Sequence, residues 1–109
     1  MSKTITLNFE DKEYTLEFTK KTIERMEQAG FVIRDAQTKP MSTLPTLFAG
    51  AFMARNRWVK QDIIDKIYEN LEDKEGLMQK LIEMYTEQVE ALFDEPEPSE
   101  KNAVWKASF

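Results

Sequence analysis

Apolar and polar side chains alternate over residues 4–18: Ile5, Leu7 and Phe9 fall on one side, Thr4, Thr6 and Asn8 on the other. Tyr14, Leu16 and Phe18 repeat the pattern, with Thr15 and Glu17 opposite. A period of two in two successive runs predicts two half-buried strands. Glu10-Asp11-Lys12-Glu13 between them predicts a turn. Setting Phe9 opposite Tyr14 places Leu7 opposite Leu16 and Ile5 opposite Phe18. All six apolar side chains then share one face of an antiparallel hairpin. The turn carries no Asn-Gly pair, so its type stays open. A lone hairpin is marginal in water, so its apolar face must pack on something else.

The period then becomes helical. Thr19 can cap a helix over residues 20–29, closed by Gly30, with Ile23, Met26 and Phe31 as its apolar contacts. Residues 32–41 hold Pro40 and no helical period, which predicts a loop. Ser42 or Thr43 can cap a second helix, with Pro45 in its first turn. Leu44, Leu47, Phe48, Ala51, Phe52 and Arg55 follow at helical spacing. Gly50 costs about 1 kcal/mol relative to alanine in mid-helix, which predicts that another backbone comes close there. The period breaks around Asn56–Trp58. A third helix is expected over residues 60–70, with Val59, Ile63, Ile64, Ile67, Tyr68 and Leu71 on its inner side. A fourth is expected over residues 74–93, its apolar face running from Leu77 and Met78 through Leu81, Ile82, Tyr85 and Val89 to Leu92 and Phe93. The expected class is α+β: an N-terminal antiparallel hairpin packed on a small bundle of about four helices.

At Asp94 the character changes. Asp94-Glu95-Pro96-Glu97-Pro98-Ser99-Glu100 is acidic and proline-rich and cannot be helix. It reads as a linker to the apolar end Ala103–Phe109. The expected organisation is one domain over residues 1–93 and a flexible acidic tail over 94–109. Val104, Trp105 and Phe109 suit a short docking segment, since Trp and Phe carry much of the energy at interfaces. Folding back onto the domain, or a free terminus, is an equal alternative. The hairpin edges can accept a partner's strand. Phe48, Phe52 and Met53 form a stripe that is usually core, with a ligand pocket as the alternative, and Phe48 and Phe52 are also candidate partner contacts.

Composition narrows the chemistry. The chain has 109 residues, 15 Lys+Arg against 20 Asp+Glu, and a formal net charge of −5. That is one domain by size, and its acidity repels phosphate backbones, so nucleic acid is not expected as a partner. There is no cysteine and no histidine. This excludes thiolate chemistry, Cys/His metal sites and histidine-based catalysis. No cofactor or metal is expected, and carboxylate clusters such as Asp62 and Asp65 read as solvated helix surface. The longest apolar stretch, Leu47–Ala54, is far short of the ~20 residues of a membrane span. With no apolar signal core near Met1, the expected location is cytoplasmic. In Arg55-Asn56-Arg57-Trp58-Val59-Lys60 the cations suit the C-terminal end of the second helix and Trp58 a core anchor. The alternative is a phosphate contact with Trp58 stacking.

The order of parts carries a resemblance. Tyr14-x-Leu-x-Phe18, then Thr22-Ile23-Glu24-x-Met26-Glu27-x-x-Gly30, then three helices and an acidic tail, resembles the small tail assembly chaperones of long-tailed bacteriophages and prophages of Gram-positive hosts. The likeness covers residues 4–93 in layout and 5–31 in recognisable residues. It implies a protein without catalytic activity that coats the long helical tape measure protein, keeps it soluble and helps recruit tail tube protein. It also implies self-association and fixes no functional residue. The alternative is a small adaptor or regulatory binding domain from the same kind of mobile element that the resemblance implies, antitoxin-like or anti-repressor. A carboxylate-based enzyme is the third class, disfavoured because without His or Cys no nucleophile–base pair can be built apart from Ser/Lys arrangements.

Overall fold

The computed structural model describes residues 3–109. Strands β1 (Ile5–Phe9) and β2 (Lys12–Leu16) form a two-stranded antiparallel hairpin. Ile5 pairs with Leu16, Leu7 with Tyr14 and Phe9 with Lys12. The register set by opposing Phe9 and Tyr14 is therefore wrong by two residues, and Phe18 lies beyond the ladder. The cause is the turn, which has two residues instead of four. Glu10 (φ 50°) and Asp11 (φ 64°) both adopt the left-handed conformation. Such a turn matches the twist of the flanking strands. Because the slip is an even number, the apolar side chains keep their common face.

Helix α1 (Lys20–Gln28) follows. The Thr22 N–H donates to Thr19 Oγ1 at 3.1 Å and the Thr19 N–H donates to Thr22 Oγ1 at 2.9 Å, a reciprocal cap. Gly30, at φ 97°, closes the helix: its N–H donates to the Glu27 carbonyl and the Phe31 N–H to the Met26 carbonyl, each at 2.9 Å. The segment expected as a loop contains one helical turn, α2 (Asp35–Thr38), which runs almost directly into α3 (Pro40–Phe52). Helix α3 begins before Ser42 and Thr43 because Pro40 occupies its first turn, where a missing N–H costs nothing. Pro45 accordingly falls inside the helix. Helices α4 (Gln61–Glu69) and α5 (Lys74–Glu90) complete the body, and a single 3₁₀ turn spans Ala91–Phe93.

Helix α3 packs against α1, α4, α5 and β2. Leu16, Phe18, Leu47, Phe52, Leu81 and Tyr85 are among the fully buried side chains. Phe18 meets Tyr85 edge-on at 5.4 Å, and Phe48 packs on Phe52 at 5.1 Å and on Tyr68 at 5.4 Å. Gly50 faces the thioether of Met26, where a Cβ would stand 2.5 Å from the sulfur. The close neighbour expected there is a side chain, not a backbone. Met84, beside the expected stripe, fills the core. Leu92 and Phe93, expected on the inner face, are exposed, since the tighter 3₁₀ turn rotates them off the helical stripe. Among the described residues no helix is long and apolar enough to cross a membrane.

Candidate functional site

The two edges of the hairpin have different fates. The C-terminal end of α3 and the residues just after it lie along β2. The Glu17 N–H donates to the Ala51 carbonyl at 3.0 Å, and the buried Asn56 side-chain amide donates to the Thr15 carbonyl at 2.7 Å. Arg55 Nε pairs with Glu17 Oε1 at 3.0 Å over the same edge. The β2 edge is therefore covered at its Thr15–Glu17 end. On β1, the ladder itself decides which groups face outward. Phe9 and Lys12 flank a two-residue turn and exchange both backbone bonds. Alternation then bonds Leu7 to Tyr14 and Ile5 to Leu16, and turns the N–H and C=O of Thr6 and Asn8 outward. Among the described residues, no backbone group pairs with that edge.

A groove of about 810 Å³ runs along it. One wall is Ile5, Leu7 and Phe9, and the other is Ile67, Leu71 and Leu77. All but Ile67 are only half-buried. The rim is polar, with Asn70, Glu72, Asp73 and Lys80. Ion pairs hold both ends of the hairpin: Lys3 to Glu87 (2.7 Å) and Glu83 (3.4 Å), and Lys66 to Glu10 (3.1 Å). The hydrogen bond that Lys3 Nζ donates to Glu87 Oε1 raises the pKa of the ammonium above its ordinary value. These pairs are solvent-exposed and contribute little to stability, so they tether the hairpin without covering its apolar face. The groove can take an amphipathic helix, or a strand added to β1.

A second, smaller cleft sits at the turn end. Trp58 is 68% exposed and lies against Tyr14, ring centroids 6.3 Å apart. Its placement as a core anchor is therefore incorrect. The three residues before it cross the β2 edge with Asn56 turned inward, which leaves Trp58 outside. The cations do not sit in the last turn of α3 either. That helix stops at Phe52, and Arg55 reaches Glu17 instead.

The five candidate partner-contact residues separate. Phe48 and Phe52 are wholly buried, so their assignment to a partner surface is corrected: they are the centre of the aromatic core. Val104 is 93% exposed, Trp105 85%, and Phe109 fully so; the end is not folded back onto the body. Leu71 and Leu77, which the structure brings to the groove, read in the sequence as ordinary inward positions. Among the described residues no group of three or more acidic side chains is placed to hold a metal ion.

Comparison with curated proteins finds no match, and comparison with solved structures finds none either. Over residues 1–109 the sequence matches the family described as Domain of unknown function (DUF5055), and the chain belongs to that family.

Proposed function

We propose that this chain is a tail assembly chaperone that binds the tape measure protein, keeps it soluble while the tail forms and performs no bond-making step of its own. It acts in the cytoplasm of the bacterial host and helps recruit tail tube protein. One observation carries the reading: the half-covered apolar groove along the free edge of β1. The groove supports a polypeptide client, and the resemblance of residues 5–31 to tail assembly chaperones supplies its identity.

The client lies in the groove as an amphipathic helix. Completing the burial of Ile5, Leu7, Phe9, Leu71 and Leu77 gives about 1 kcal/mol each, roughly half the value of burying a large apolar side chain outright. A gross gain near 5 kcal/mol per groove, before ordering costs, supports weak and reversible binding. Reversibility suits a chaperone that must yield to tube subunits, and many copies along one long client supply the avidity.

The test is co-expression with a tape measure protein, sought as a very long, coiled-coil-rich reading frame neighbouring this gene. The client should become soluble and co-purify. Leu71→Glu and Leu77→Glu, at half-exposed positions, should abolish capture while the chaperone stays folded. Asn8→Pro removes an outward N–H of the β1 edge, where proline is tolerated. It should leave a helical client bound, whereas loss of capture would indicate strand addition. A client that stays insoluble and does not co-purify would end this reading.

A further inference from the structure

The cleft at Trp58 and the chain's own C-terminal segment are complementary. We infer that the cleft takes the acidic, aromatic C-terminal segment of a second copy of this chain, linking copies through a surface separate from the β1 groove. The inference does not depend on which client fills that groove.

The cleft is walled by the aromatic rings of Phe9, Tyr14 and Trp58 and encloses about 170 Å³. Small-molecule sites run to ~300–1,000 Å³, so this one has room for a side chain and not for a metabolite. Lys12, Lys60 and Lys66 frame it. Glu10 is the one acid in its lining, and Lys66 already neutralises it at 3.1 Å. On a chain of net charge −5, a lysine-framed aromatic cleft is a local exception that selects an anionic partner.

The C-terminal segment has the matching chemistry in the matching order. Asp94, Glu95, Glu97 and Glu100 come first; Val104, Trp105 and Phe109 follow, all exposed. An aromatic anchor entering the cleft would bring the carboxylates upstream of it onto the lysine rim. Trp is among the residues that most often dominate such contacts.

The chain's own tail does not occupy the cleft, since Trp105 is 85% exposed, and this points to a second copy as the occupant. The segment leaves the body at Asp94, in a cleft shared with Lys3, next to the start of β1. The Trp58 cleft lies at the other end of that strand, beside Phe9 and Glu10. Seven strand steps from Lys3 to Glu10 span roughly 23 Å. Within the linker, the Asn102 side chain donates to the Glu97 carbonyl at 2.8 Å and its N–H to the Ser99 carbonyl at 3.2 Å. This turn doubles back part of the reach that Trp105 would need to return along its own hairpin. The molecule measures 57 × 31 × 23 Å with a radius of gyration of 16.8 Å, against ~13 Å for a compact chain of this size, as expected of a tail that projects outward.

The experiment uses the full chain alone, with mass measured by light scattering and sedimentation over a range of concentration and salt. Self-association that weakens as salt rises is expected. Trp58→Ala and Trp105→Ala should each weaken it about tenfold or more. Both side chains are exposed, so thermal melts of the two variants should match the parent. Mixing the two should restore association, because one retains an intact tail and the other an intact cleft. Lys60→Glu should also weaken association, and Glu100→Lys in the same chain should restore it. A monomer at every concentration overturns the inference, as does self-association indifferent to Trp58 and Trp105. A concentration-independent change at Trp58 on removing the tail would assign the cleft to the chain's own segment and overturn it equally.

Discussion

Asn56 shows how one side chain can settle the fate of a sheet edge. It is buried where α3 ends, and its amide satisfies the outward carbonyl of Thr15, which would otherwise face a dry junction. Asn56→Ala should destabilise the fold by about 1–3 kcal/mol, the cost of leaving a buried acceptor unpaired. Asn56→Asp should cost more, because a carboxylate would face the Thr15 carbonyl oxygen with no donor to offer. Urea midpoints of the two variants test the ranking; an aspartate no worse than alanine would show that the amide bond does not hold this edge. In the sequence Asn56 marks only a break in period, since a hydrogen bond across 41 positions leaves no local signature. Gly50 was more legible. A glycine inside an apolar helix points to a tight approach, and the Met26 thioether fills that space. Which residue filled it was not readable, because packing partners lie far apart along the chain.

At the scale of elements, period was a sound guide, capping chemistry held at α1 but not at α3, and turn geometry was not readable. Thr19 and Gly30 bound α1 as their chemistry requires. The hairpin register depended on whether Glu10 and Asp11 would accept positive φ, a conformation their side chains disfavour. That strain gives a prediction. Replacing Glu10 by Asn and Asp11 by Gly should stabilise the protein by about 1 kcal/mol, since this pair suits a two-residue hairpin turn. The loss of the exposed Lys66–Glu10 pair offsets little of this. A higher urea midpoint with an unchanged slope is the expected result; a lower one would mean the native turn chemistry is tuned to something other than the hairpin. Helix α2 escaped the periodicity reading because four residues are too few to show a period.

At the scale of the molecule, the body ends where the core ends. Beyond Phe93 the chain buries no large side chain, and its apolar residues point to solvent. Truncation after Phe93 should leave the melting of the body unchanged to within about 0.5 kcal/mol, as for changes away from packed features. A larger loss would show that the tail packs on the body. The α+β class, the strand face and the main helices follow from the sequence, because each is set by side-chain period over neighbouring residues. Tertiary structure alone decided which apolar residues became core and which became surface. Phe48 and Phe52 vanished inward, Trp58 stayed out, and Leu71 and Leu77 stopped halfway at a groove. The physical reason is that period tells which way a side chain points from its own element, while burial depends on whether another element arrives to cover it.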